Sequence, residues 1–525
     1  MVSTGERVAV CVSPAFTGGL FWARAPAGLV FSDSVRELVA SAGIRVAIDP
    51  DFIRRFAVLS REMAATRTAF AEINRVVPGT TEIWDVHTPM GGSAQVCLGR
   101  PRTVVWCGPD AWPEPHLQGS GAPHEYLAAF DASIDDLLDE GPLYVLMSGG
   151  LDSTFLAASL VRHATPDRPL HALCHSPDPG ACLSKQGVWD PDDYPVARLM
   201  EDAYPGRLVV HRVHPPVGSS PLDAAAQVAN ARGVPTLNPG NQVWMTHAAQ
   251  LAADAGATRL FCGTNGNSAY SGSHDYASGY YLQRGDFGSA WRSLVAEDRR
   301  LPSKANLRAR AARPAIHSLR RHLPATARHH VPRRITGDSD VAGYRSLVGL
   351  RHLGPGPVPR LMTRAGYLDW LTGHGPYGAA TMFAGSPVPI IDPFSTQRML
   401  DTAAALTPLE WLRGPGDSRT YARLLAAGRV PDAIRMRTRR GGQAWDEWYL
   451  IRNERDRYVD EVAALATTPI LGGWVDDASL RDTLDGWPWG QVHGPNRMAV
   501  LAMNRILSLA AFVRAATGWI HSTTV

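Results

Sequence analysis

Leu143-Tyr-Val-Leu-Met-Ser-Gly-Gly-Leu-Asp-Ser-Thr154 runs from an apolar strand directly into a glycine-bearing loop and then into a helix-forming stretch. That order builds a phosphate cradle. Gly149 and Gly150 carry no side chains, so backbone amides can approach phosphate oxygens. The Ser148 and Ser153 hydroxyls and the N-terminus of the following helix add further donors. Asp152 stands where a magnesium ion would sit. The loop lacks the lysine of G-x-x-x-x-G-K-[ST], which holds a γ-phosphate, so it fits a kinase or GTPase loop poorly.

Around this stretch the chain alternates strand and helix. Helix His124 to Leu138 precedes strand Leu143 to Met147; helix Thr154 to His163 and strands Leu170 to His175 and Leu208 to Val213 follow. Helices from Leu222 to Ala231 and Trp244 to Ala255 then lead to strand Thr258 to Cys262. Apolar strands separated by helical crossovers predict a doubly wound parallel sheet covered on both faces, with ligands beyond the carboxyl ends of its strands. Leu146, His175 and Gly263 are the residues expected to border a nucleotide there. Beyond residue 280 the pattern turns mainly helical, with Gly/Pro-rich breaks at 353–359 and 373–389.

Residues 1–112 read as an α+β region: strands around Val8 to Val12, Leu29 to Ser32, Thr81 to Asp85 and Thr103 to Trp106, with helical spacing over Asp51 to Arg61 and Ala64 to Glu72. Residues 113–123 have the Gly/Pro composition of a linker, which leaves 124–525 as the second domain. Of 525 residues, 45% are hydrophobic and 19% charged, and the formal net charge is only +3, so no global charge points to nucleic acid. No apolar run of about 18 residues and no basic-then-apolar leader is present, so a cytoplasmic protein without a transmembrane segment is expected. Six scattered cysteines without a C-x-x-C pair speak against zinc and disulfides.

The loop is similar to the S-G-G-x-D-S loop of pyrophosphatases that split ATP into AMP and pyrophosphate, and the order of motifs resembles the asparagine synthetase type of ATP-dependent amide-forming enzymes. Leu260-Phe-Cys-Gly-Thr-Asn-Gly-Asn-Ser-Ala-Tyr-Ser-Gly272 resembles that family's L-x-x-G-E-G-G-D-E-x-F-G-G, and Pro389-Ile-Ile-Asp-Pro-Phe394 its P-F-L-D segment. Leu412 to Tyr421, followed by Val430-Pro-Asp-Ala-Ile434, resembles L-R-x-G…K-x-x-L-R…L-P-x-x-I. The resemblance implies a truncated, glutaminase-like (Ntn-type) N-terminal domain, carried by Gly28 to Asp33, Ile48 to Asp51 and Val77 to Gly79, ahead of an ATP pyrophosphatase domain. A glutaminase of this type needs a cysteine just after the initiator; Val2 stands there, so the attacking nitrogen is expected to be a substrate amine. Arg437-Thr-Arg-Arg-Gly-Gly-Gln-Ala-Trp-Asp-Glu-Trp448 resembles the R-T-x-K-G-x-Q-x-x-D-W pattern of lasso peptide macrolactam synthetases, and Asn238 to Trp244 is also lasso-like. That subgroup implies a precursor core peptide as substrate, with a leader-binding protein and a leader peptidase as partners. Asparagine synthetases and β-lactam synthetases are the alternatives, and a degenerate nucleotide- or peptide-binding scaffold is the non-enzymatic one.

A carboxylate is a poor acyl donor until AMP is transferred to it, after which a neutral amine can attack. The site then needs ATP and Mg2+, a cation for the intermediates and a proton acceptor. The resemblance assigns metal to Asp152 and to Asn267, where the family has an acid, and the stabilising cation to Arg439 or Arg440, where it has lysine. The glutamate that β-lactam synthetases use for proton abstraction aligns with Gly385; Tyr367, Asp369 and Tyr377 are the nearby candidates for a base. Residues 299–334 hold 11 Lys/Arg, four His and no Asp or Glu, a solvated insertion or a docking site for a partner or membrane surface. Tyr270, Tyr276, Tyr280 and Tyr281 are candidates to line a cleft. His171 and His175 share one face of their strand without a visible third ligand.

Overall fold

The computed structural model describes residues 2–523 except 4–6, 16, 27, 42, 59–65, 88–96, 99–100, 107–111, 182, 184–188, 273–276, 299–363, 365–366, 369–370, 372–380, 382, 416–417 and 492–496. The chain opens with two antiparallel sheets. In the first, β1 (Val2–Ser3), β2 (Arg7–Val12), β6 (Thr80–His87) and β7 (Cys97–Leu98) lie side by side, and β8 (Arg102–Val105) also pairs with β6. In the second, β3 (Phe21–Ala25) lies between β4 (Gly28–Ser32) and β5 (Asn74–Arg75). Alternation places Val10, Val12, Trp22, Val76 and Trp84 in one small core.

Helices α1 (Val35–Ala40) and α2 (Pro50–Val58) lie in sequence between β4 and β5 of the second sheet. The helix expected over Ala64 to Glu72 does not form in its described part. Arg67 instead pairs with Asp49 and Asp51, and the Thr68 hydroxyl donates to the carbonyls of Phe70 and Ile73. Such side-chain bonds offer the backbone a turn that competes with helix.

The second sheet system is all parallel. Its order is β12 (Leu208–Val213), β10 (Leu170–His175), β9 (Leu143–Leu146), β13 (Leu260–Phe261), β14 (Ile390–Ile391). The chain moves outward from β9 to one side and returns on the other, so the order reverses between β9 and β13, the place where such sheets bind ligands. Leu143, Val145 and Met147 enter one core while Tyr144 and Leu146 enter the opposite one, which is why the strand reads as an unbroken apolar run. Helix α4 (Leu151–Leu160) follows the Ser148 loop at once, three residues earlier than its composition suggests, and it is buried all round apart from Ser153. Between β10 and β13 lie β11 (Trp189–Asp190), α5 (Tyr194–Ala203), α6 (Pro221–Arg232) and α7 (Pro239–Asp254); β11 pairs in parallel with β15 (Arg440–Gly441). Helix α7 also starts earlier than expected, because Asn238 caps it by accepting from the Asn241 amide and Pro239 fits its first turn.

The expected linker is tied down ahead of α3 (Ala122–Asp135): the amides of His116 and Leu117 donate to the Ala405 carbonyl, and the Gly119 amide to Glu410. Residues of α1 and α2 share a core with the C-terminal helix Arg497–Thr523, as Phe70 does by meeting Phe512 edge-on at 6.2 Å. Within that helix, Ala499–Ile520 is long and apolar enough to cross a membrane by length and composition, although Asn504, Arg505 and Arg514 interrupt any unbroken apolar run, as expected from the sequence. Its polar residues serve the protein instead. Asn504 accepts from Tyr458 and donates to Glu447, Arg514 pairs with Glu461, and 67% of the segment is buried, as in a core helix.

Candidate active site

The Ser148 loop leaves β9 at the carboxyl edge of the sheet and satisfies its own amides. The Ser148 N–H donates to Ser153 Oγ (3.0 Å) and the Gly150 N–H to Ser148 Oγ (3.1 Å), and the Asp193 carboxylate stands against Gly149. The two hydroxyls expected to meet phosphate thus also brace the loop. Gly149 is indispensable for packing, because a Cβ there would stand 2.9 Å from Arg437, Asp193 and Val196.

Asp152 lies in the first turn of α4, where the helix dipole favours a carboxylate. Across the crevice, the segment after β13 presents Asn267 from the short helix α8 (Gly266–Ala269). Gly266 lets this helix abut Asp152, since a Cβ at 266 would lie 2.8 Å from the Asp152 Cβ. Both oxygens converge on one guanidinium: Arg419 donates to Asn267 at 3.1 Å and reaches Asp152 at 3.5 Å. Arg419 itself has φ +51°, a left-handed conformation costly for a side-chain-bearing residue.

Gly263 sits between the Phe394 ring and the Asp152 backbone. Asp392, just past β14, is fully buried and gives both oxygens to backbone amides, Asn265 at 2.6 Å and Phe394 at 3.0 Å. Burial lifts its pKa to about 7 against the pull of those N–H groups, and the Asp152 charge adds to the rise. Asp392 therefore fixes the Gly263–Asn267 segment.

The arginine segment closes the other side. Arg437 donates to the Gly149 carbonyl (3.1 Å) and pairs with Asp190 (2.5 Å) and Asp193 (3.4 Å), and Arg439 pairs with Asp190 at 2.7 Å. Burial works to raise the Asp190 carboxyl, but hydrogen bonds from Arg437 and Arg439 hold it below the ordinary range. Asp193 is pushed up by burial, which Arg437, the Gly149 amide and His175 only partly offset. Arg440 is exposed, its guanidinium 5.8 Å from the Trp189 ring centroid. The cations that touch the loop and Asp152 are thus Arg437 and Arg419. Sequence reasoning quoted both segments but singled out Arg439 and Arg440, because no pattern tells which of several arginines turns inward.

His175 ends β10 buried, 3.4 Å from Asp446 and 5.2 Å from the Trp244 ring, and Leu146 packs in the same core as Trp244. Tyr367 is buried and donates to the Ser268 carbonyl; Asp369, Tyr377 and Tyr276 lie outside the described residues, as does the basic run 299–334. Gly385 leaves room for Gln242 and Thr246, each 3.2 Å from a Cβ built there. Tyr270 is a core residue stacked on Phe155 at 4.4 Å, while Tyr280 donates to Glu114 and Tyr281 accepts from the Leu409 amide. His171 bonds His211 at 2.9 Å.

The donor set suits a magnesium ion that keeps phosphate and water as most of its ligands: one carboxylate, Asp152, and one amide oxygen, Asn267, converge where a cationic group already stands. Among the described residues no group of three His, Cys, Asp or Glu forms a fuller cage. A cavity of about 260 Å³ lies elsewhere, between Phe21 of β3 and Phe383 to Ile390. It does not include Asp152, so the loop geometry rather than the cavity marks the chemistry. A family model described as asparagine synthase matches residues 125–514. No curated protein matches the chain.

Proposed function

The chain belongs to the asparagine synthase family and is on that ground an ATP-dependent amide ligase; from that premise we propose that it adenylates a carboxylate, releases pyrophosphate and closes a macrolactam in a lasso precursor peptide. The observation that carries the adenylation reading is the meeting of the Ser148 loop, Asp152, Asn267 and Arg419 at the reversal point of the parallel sheet. A carboxylate oxygen of the peptide attacks the α-phosphorus of ATP, and pyrophosphate leaves. The N-terminal amine then attacks the acyl carbon, AMP departs, and the amine gives up a proton.

Ser148, Gly150, Ser153 and the N-terminus of α4 hold the departing pyrophosphate, with charge balanced by Arg419 and Arg437. Asp152 with Asn267 would hold a magnesium ion, which when bound would supply Lewis-acid charge to the phosphates. Leu146 and Gly263 border the nucleotide, and His175 sits beside it, fixed by Asp446. The sequence pattern of Arg437 to Trp448 supports the lasso reading, and this segment runs from the loop contact of Arg437 to the packed indole of Trp448. The leader-binding protein and leader peptidase remain partners within the same proposal.

Nucleotide chromatography with authenticated core peptide and its processing partners tests the chemistry. AMP and pyrophosphate should form, and the peptide should lose one water by mass spectrometry. ADP would exclude adenylation. AMP formed with aspartate or a small β-amino acid, and not with peptide, would move the substrate to the small-molecule alternatives.

A further inference from the structure

Two walls of the site meet at one buried carboxylate. Asp193, 7% exposed, stands against Gly149 and pairs with Arg437 at 3.4 Å, while Arg437 donates to the Gly149 carbonyl, so one ion pair grips the loop at Gly149. Arg437 is in turn fixed by Asp190, which also holds Arg439. The fit leaves no slack. A Cβ at Gly441 would fall 1.9 to 2.1 Å from the Asp193 carboxylate, and the Gly442 amide donates to the Asp190 carbonyl beside the β11–β15 pair. Asp193 is the N-cap residue of α5, whose Val196 packs against Gly149, so its position is set by the helix rather than by a free loop.

We propose that Asp193 is a positioning residue that locks the Gly149 peptide and Arg437 together, making Arg437 part of the pyrophosphate loop and coupling that loop to the arginine segment. This role rests on the proposed adenylation site, but it makes a statement about binding that does not depend on turnover.

Asp193→Asn and Asp193→Ala separate the two halves of the lock. Asparagine can still accept from Arg437 but offers it no charge, whereas alanine does neither. Binding of a non-hydrolysable ATP analogue, read by calorimetry, should weaken about 10- to 100-fold in Asp193→Ala, as expected when a charged hydrogen-bond partner of a buried group is lost. In Asp193→Asn it should recover to within about 3-fold of the unaltered protein while kcat stays at least about 10-fold low. A merely structural carboxylate would not split affinity from kcat in this way. If Asp193→Ala does not fold, Asp193→Asn decides alone: kcat and analogue affinity both equal to those of the unaltered protein would overturn the proposal. Loss of analogue affinity in Asp193→Asn equal to that in the folded alanine variant would overturn it as well. If the unaltered protein makes ADP, the ligase chemistry falls while the analogue-binding comparison still reads the lock.

Discussion

Glu82 in the antiparallel N-terminal sheet and Asp392 beside the parallel sheet are both buried, and burial lifts each carboxyl to a pKa of about 7. Their surroundings differ. Asp392 receives two backbone amides and feels the charge of Asp152, whereas Glu82 lies among Val10, Trp22 and Trp84 and, among the described residues, has the Trp22 indole directed toward it, short of hydrogen-bond geometry. Around the Ser148 loop, buried charge is answered by arginine and oriented backbone, which is how a site for polyphosphate is preorganised. The N-terminal sheets show no such answer at Glu82, and the helices beside them supply apolar surface to the C-terminal helix. One region is arranged for an anion; the other is arranged for packing.

The largest expected effect tests that division. Asp152→Ala should lower carboxylate-dependent AMP release by about 10³-fold or more, since the proposed magnesium ion would lose the carboxylate assigned to hold it. Glu82→Met, made in the other region, should leave the rate unchanged. AMP release near that of the unaltered protein in Asp152→Ala would take Asp152 out of the site and erase the contrast.

Next in size is a comparison inside the arginine segment. Arg437→Ala removes the contact to Gly149 and two ion pairs, and should cost about 10²-fold in kcat/KM for ATP, the scale of one lost electrostatic partner. Arg440→Ala removes an exposed side chain near Trp189 and should cost less than about 3-fold. Steady-state kinetics of the two variants under saturating peptide checks the order. The reverse ranking would return the role to the residue that the motif suggested.

Much of this arrangement is legible in the chain. The strand Leu170–His175, the strand Leu208–Val213 and the loop from Ser148 to Ser153 stand where periodicity and glycine placement put them, because parallel buried strands leave continuous apolar runs and a phosphate loop needs small residues. Asn267 and Asp152 were paired by resemblance, and the structure brings them to one guanidinium. Arg419 and the Asp190/Asp193 pair were not found, since their roles depend on which way a side chain turns after residues 152 to 267 positions apart have met. The turn at Thr68 was missed for another reason: a hydroxyl bonding to nearby carbonyls leaves no mark in hydrophobic periodicity.

The smallest effect concerns stability and isolates Glu82. Its pKa is about 7 when folded against an ordinary 4.5. Between those values the folded protein keeps a proton that the unfolded chain has lost, so stability falls as pH rises through the window and levels off above about pH 7. Below pH 4.5 the group contributes nothing, because both states are protonated. Replacing the carboxyl by a similar apolar volume, Glu82→Met, removes the buried charge without leaving an orphaned polar atom. It should raise stability by about 1–2 kcal/mol at pH 8 and by little at pH 5. Asp392→Asn should go the other way, losing about 1–2 kcal/mol, because an amide cannot accept both backbone N–H groups. Urea midpoints of the three proteins at pH 5 and pH 8 measure this directly. If Glu82→Met and the unaltered chain lose the same midpoint between the two pH values, Glu82 is not the buried charge that distinguishes the N-terminal sheet from the site.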